Sequence, residues 1–173
     1  MAQLDGTGMK RLHREWRQRT TGRVALVLDS VQNPFNVGTI IRTAAAERVD
    51  HIWFAGGTTP EHPKVAKTAL GTTRYVTWTA VPDGPAAVME ARADGFQVVA
   101  IELTTDAVAL PHVELEADVA LVLGHEDRGV APKTLAAVDS VAYIPQLGKV
   151  GSLNVASAAA IATYEVRRRS WAT

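Results

Sequence analysis

The chain has 173 residues, 47% hydrophobic and 21% charged, with 18 Lys and Arg against 18 Asp and Glu. That length suits one domain with a substantial core and falls short of two ordinary ones. No apolar run approaches the ~20 residues of a bilayer span, residues 1–10 lack the apolar core of a signal peptide, and the absence of cysteine excludes disulfides and thiolate metal sites. The expectation is a cytoplasmic globular protein with no membrane contact.

The net charge of +0 argues against a surface that grips nucleic acid everywhere, but the charges are unevenly spread. Lys10, Arg11, Arg14, Arg17, Arg19 and Arg23 crowd the first segment against only Asp5 and Glu15. Arg167, Arg168 and Arg169 cluster near the other end, and between Asp83 and Asp127 the one cation is Arg92. Such clusters fit either solvated helix faces or two basic ends of a phosphate-tracking surface.

In chain order, Met9, Leu12 and Trp16 fall at helical spacing and predict a short basic amphipathic helix over 8–19, within an N-terminal extension of residues 1–22. The remainder, 23–173, alternates. Strands are expected at Val24–Val31, His51–Ala55, Arg74–Thr79, Gln97–Leu103, Asp118–Leu123 and Val141–Ile144. Helices are expected at Val37–Ala46, Pro63–Leu70, Pro85–Ala93, Pro132–Val138 and Asn154–Arg169, three of them with proline near the start, where its missing N–H costs nothing. Residues 104–117 read as a loop. Strands rich in Val, Ile and Leu without clean alternation imply a sheet covered on both faces, hence an α/β fold with a mostly parallel sheet. Ligands of such sheets collect outside the carboxyl ends of the strands.

Three turns at such ends stand out. After the first strand comes Asn33-Pro34-Phe35-Asn36-Val37-Gly38-Thr39-Ile40-Ile41-Arg42. Its amides and glycine suit a strand-to-helix turn. Arg42 interrupts an apolar face of Val37, Ile40, Ile41, Ala44 and Ala45, and a buried guanidinium needs a partner such as phosphate. The other two turns are Gly124-His125-Glu126-Asp127-Arg128-Gly129 and Pro145-Gln146-Leu147-Gly148-Lys149-Val150-Gly151-Ser152-Leu153-Asn154. No dinucleotide fingerprint, complete P-loop or nucleophile elbow is present, and the five histidines lack metal spacing.

In order and spacing these three segments closely resemble the motifs of the SpoU/TrmH family, RNA ribose 2′-O-methyltransferases of the SPOUT class. Lys67-Thr68-Ala69-Leu70-Gly71 is similar to a further family feature, and the resemblance covers about residues 23–166. It implies a C-terminal trefoil knot holding S-adenosylmethionine, with no metal. The cofactor would lie against Leu103 and Thr104, Leu123 and Gly124, and Ile144, Gly148, Ser152 and Leu153, the glycines allowing close backbone approach. Asn36, Arg42, Glu126, Ser152 and Asn154 match the family's catalytic set by position. The family assigns the counterpart of Arg42 the activation of the 2′-hydroxyl, although a guanidinium is a poor base and an electrostatic stabiliser fits as well. Glu126 would orient Arg42, with Asn36 and Asn154 holding Arg42, ribose or phosphate. Glu126 as a helix N-terminal carboxylate and Ser152 or Asn154 as caps remain compatible readings.

The resemblance also implies a homodimer with a composite site. Arg11, Arg14, Arg17, Arg42, Arg128, Lys149 and Arg168 are the candidate RNA contacts. The short length and basic ends resemble the tRNA-directed members, so tRNA is the expected substrate. The alternatives are rRNA and a catalytically silent RNA-binding member.

Overall fold

The computed structural model describes residues 2–171. Seven strands form one sheet: β1 (Val24–Asp29), β2 (His51–Ala55), β3 (Trp78–Val81), β4 (Gln97–Ile101), β5 (Val108–Ala109), β6 (Val119–Leu123) and β7 (Ser140–Tyr143). Their spatial order is β3-β2-β1-β6-β4-β7-β5, and every pairing is parallel. The helices are α1 (Gly6–Arg19), α2 (Pro34–Ala46), α3 (Val65–Ala69), α4 (Gly84–Ala93), α5 (Pro132–Leu135) and α6 (Val155–Ser170).

β1 and β6 are buried along their whole length, which is why they carry no alternation. Val24, Leu26 and Leu28 of β1 face a core completed by α2 and α6, while Ala25 and Val27 face a second core with Trp53, Phe96 and α4. All three motif turns therefore emerge at one end of the sheet, since parallel strands share a direction.

Two regions differ from the sequence expectation. Residues 74–77 of the expected strand Arg74–Thr79 are not strand: a 3-10 turn occupies Thr72–Tyr75, and β3 starts only at Trp78. Leu70 and Gly71 both hold positive φ (49° and 75°), which ends α3 and tips the chain into that turn, so Tyr75 stays outside. Residues 104–117 are more than a loop. They add β5 to the sheet edge, then a 3-10 turn that buries Leu110 and Val113. A two-residue strand is too short to leave a periodicity.

The basic cluster near residue 168 is largely consumed within the chain. Arg167, only 4% exposed, donates to the carbonyls of Glu47, Gly22 and Arg48 and pairs with Asp50 at 3.5 Å. Arg169 donates to the carbonyls of Val113 and Leu110, tying α6 to the segment before β6. Arg167→Ala strands three carbonyls beneath α6 and is expected to lower stability by about 3 kcal/mol in urea unfolding. Arg167→Lys, lacking the fork, restores little of it.

α1 contributes no buried residue. Its Asp5 caps the helix by accepting from Gly8 N at 2.7 Å, and Trp16 packs on Trp171 with tilted rings, centroids 5.0 Å apart. No helix among the described residues is long and apolar enough to cross a membrane.

Candidate active site

The loops after β4, β6 and β7 converge around a cavity of about 480 Å³. Leu103, Thr104, Leu123, Gly124, Ile144, Ser152 and Leu153 line it, as does Arg128. Gly148 does not: it is exposed, and a β-carbon there would meet nothing within 4 Å. Gly124, expected to allow close ligand approach, also has a role within the loop itself. A β-carbon on Gly124 would overlap the backbone of Gly129 and Val130, because His125 and Gly129 exchange hydrogen bonds of 3.0 and 2.8 Å across a tight loop. The glycine is required by the loop's own closure.

Glu126 stands at the mouth of this loop and reaches across to α2. Its Oε1 accepts from Asn33 N at 2.9 Å and Asn36 Nδ2 at 3.0 Å, and its Oε2 accepts from Gln32 N at 3.1 Å. Asn36 Oδ1 then accepts from Asn154 Nδ2 at 3.0 Å. Asn154 Oδ1 caps α6, accepting from Ala156 N at 2.9 Å and Ser157 N at 3.3 Å. Every donor in the relay points the same way, from the α6 amides through both asparagines to the carboxylate. An ionised carboxylate accepts only, so it fixes the orientation of each amide in turn. Capping and site assembly are thus one feature of Asn154.

Desolvation pushes the Glu126 carboxyl up, but the hydrogen bonds from Asn36, Asn33, its own amide and Gln32 outweigh it and hold the group below the ordinary carboxylate range. A depressed folded-state value stabilises the fold above the unfolded-state value near ~4.3, and this stabilisation is lost as pH falls through the folded value. Glu126→Gln is therefore expected to unfold at lower urea than the native chain near neutral pH. The gap should close as pH falls through the depressed folded-state value and the native carboxyl becomes protonated.

Arg42 departs from the sequence expectation. Val37, Ile40, Ile41 and Ala44 are buried, but Arg42 is exposed and forms no hydrogen bond or ion pair among the described residues. Six residues separate it from Asn36, which places the two about 120° apart around α2. Glu126 holds the turn and Asn36; Arg42 is not among its partners. Lys149 is exposed beyond the cavity. On the basic ends, Arg11 pairs with Glu15 at 3.3 Å, Arg14 and Arg17 are exposed on α1, and Arg168 forms a forked pair with Glu165 at 2.9 Å on both arms.

The sequence reading missed Glu102. Its carboxylate accepts from Leu103 N at 2.8 Å and Val130 N at 2.9 Å, pinning the loop after β6 to the end of β4 on the cavity wall. An acid directly after a buried strand was the only available signal. Among the described residues, no three His, Cys, Asp or Glu side chains converge as a metal site.

Residues 23–164 match the model of the SpoU rRNA Methylase family. The 23S rRNA (guanosine(2553)-2′-O)-methyltransferase RlmP of Bacillus subtilis is 34% identical over 158 residues, 90% of this chain and 62% of that protein. An rRNA methyltransferase from Sinorhizobium meliloti, solved with AdoMet bound, superimposes with a TM-score of 0.79 at 30% identity, covering 89% of this chain and 60% of that one. The TrmH/SpoU tRNA modifying enzyme of A. aeolicus superimposes with a TM-score of 0.75 at 29% identity, covering 93% and 83% respectively. The chain spans about three-fifths of the length of the curated relatives it matches. With the family model extending from the start of β1 into α6, and so across all three motif turns, the chain belongs to the SpoU methylase family.

Proposed function

We propose that this chain is an S-adenosylmethionine-dependent RNA ribose 2′-O-methyltransferase that acts on tRNA as a homodimer in the cytoplasm. The observation that carries the reading is the cavity between the three loops, bordered by the Glu126–Asn36–Asn154 relay. Its walls fit the cofactor. Leu123, Ile144, Leu153 and Ala158 offer an apolar bed for a purine, while Glu102, Thr104 and Ser152 offer polar groups for a ribose and an amino acid. A trefoil knot in the loop before α6 is part of this proposal. When bound, the cofactor supplies a methyl group activated on a sulfonium.

The chain's own residues position the acceptor and manage its charge. Asn36 and Asn154 each commit one amide hydrogen and the carbonyl oxygen to the relay, leaving one N–H apiece free for a ribose oxygen or a phosphate. Glu126 keeps both amides rigid without touching the substrate. Ser152, on the cavity wall, holds the ribose or cofactor edge. Arg42 remains protonated at any working pH and serves as a phosphate holder and stabiliser of the developing 2′-alkoxide. Because it faces away from Asn36 on its own helix, it completes the site of a second copy.

The tRNA assignment draws on the likeness to the TrmH/SpoU tRNA modifying enzyme of A. aeolicus, 29% identical over 93% of this chain. rRNA is the second reading, favoured by the 34% identity to RlmP. The test is transfer of labelled methyl from S-adenosylmethionine to bulk tRNA and, separately, to rRNA. Label on tRNA supports the proposal; label confined to rRNA selects the second reading. Cofactor binding with no label on either RNA selects a silent RNA-binding member.

A further inference from the structure

Many cations of this chain lie against carboxylates, as Arg11, Arg23, Arg92, Lys133 and Arg168 do. A different group gathers along the outer side of α2. Gly38 packs directly on α3, where a β-carbon would overlap the Thr68 hydroxyl and press on the Val65 carbonyl. Arg42 lies one helical turn beyond Gly38 on that side and so borders α3 and the turn that follows it. This strip carries Lys64 and Lys67, then Arg74 and Tyr75 in the 3-10 turn, all exposed. None of Arg42, Lys64, Lys67 and Arg74 forms an ion pair among the described residues, and Glu61 is the only acid between residues 57 and 82.

Within that strip, Tyr75 is 65% exposed. The Arg74 guanidinium lies 4.8 Å from its ring centroid and donates to the phenol oxygen at 2.9 Å. The pair stands on a turn built from two residues at positive φ, Leu70 and Gly71, which projects it from the body of the protein. A merely solvated basic face has no use for an uncovered aromatic ring. Leu70 is also exposed on that turn, but four unpaired cations around the ring fit a polyanion better than a protein-docking face, whose centre is depleted of charge. Unstacked nucleobases bind on aromatic rings and arginine planes, with cations along the backbone path.

We propose that this α2–α3 face binds single-stranded RNA, an unpaired nucleobase stacking on the Tyr75–Arg74 pair while Lys64 and Lys67 take flanking phosphates. The inference rests on the RNA methyltransferase reading and specifies which part of the substrate this chain grips outside the cavity. The acceptor nucleotide then enters from a segment already pulled out of helical stacking.

The probe is a single-stranded RNA 12-mer carrying one 2-aminopurine, compared with the same sequence in a duplex. Binding to the native chain is expected to quench the fluorophore in the single strand and leave the duplex unaffected. Tyr75→Ala weakens binding on the order of tenfold and removes the quench. Tyr75→Phe, which keeps the ring, retains both. Lys64→Ala with Lys67→Ala lowers the salt slope of the affinity by about 0.7 per lysine. Binding of S-adenosylhomocysteine, unchanged throughout, shows that the variants are folded. Native RNA affinity and quench persisting in Tyr75→Ala overturns this proposal and leaves the methyltransferase reading standing, as does equal quenching in the duplex. A native chain that binds the cofactor but not the 12-mer overturns this proposal, and methyl transfer to bulk RNA then decides the methyltransferase reading separately.

Discussion

Gly124→Ala is expected to abolish cofactor binding and lower stability by about 3 kcal/mol, the upper range for overpacking a site that cannot give way. The added methyl would meet no flexible side chain. It would overlap the Gly129–Val130 backbone, which is fastened by the His125–Gly129 hydrogen bonds and by Glu102 on Val130 N. Relief requires the loop to open, and opening displaces Glu126 from Asn36 as well. Gly148→Ala is the matched control: nothing stands within 4 Å of its added carbon, so neither property should change. Calorimetric titration with S-adenosylhomocysteine and urea unfolding of both variants measure the difference. A Gly124→Ala protein with native affinity would mean that the loop does not form the cavity wall.

Arg42→Ala is expected to cut methyl transfer by about 10²–10³, the loss typical of one preorganised electrostatic donor. Stability and cofactor affinity should be untouched, since the guanidinium is exposed and bonded to nothing among the described residues. That combination separates a residue acting on RNA from one that builds the site, such as Glu126. Mixing Arg42→Ala with Gly124→Ala chains adds a second readout. If Arg42 serves the partner's cavity, a mixed dimer holds one intact composite site, and activity reappears from two inactive proteins. Single-turnover labelling before and after subunit exchange reads this out. No recovery in exchanged dimers would place Arg42 at its own chain's cavity.

The layered parallel sheet was legible because its central strands are buried on both faces: Val24–Leu28 and Val119–Leu123 are uninterrupted apolar runs that only such a sheet explains. The site was legible at its turns, where Asn33, Asn36, Gly124 and Asn154 break those runs with residues of special backbone or capping chemistry. What lay hidden was orientation. Arg42 sits next to two buried isoleucines in sequence, and its spacing did not reveal that the helix turns it outward. Arg167, Arg168 and Arg169 read as one basic cluster, yet each has a protein partner: Arg167 and Arg169 because α6 runs back across the chain to Glu47 and Leu110, and Arg168 through Glu165 on its own helix. Glu102 was invisible for a similar reason: its partners are backbone amides, one of them 28 residues away.

The most direct measurement is alkaline digestion of RNA labelled by this chain from S-adenosylmethionine. Ribose 2′-O-methylation blocks the hydroxyl that alkali requires, so the label should survive in a dinucleotide resistant to hydrolysis, and Asn36→Ala should strongly reduce its formation. Label recovered only in mononucleotides would mean that the methyl group is on a base, contradicting transfer to the ribose oxygen.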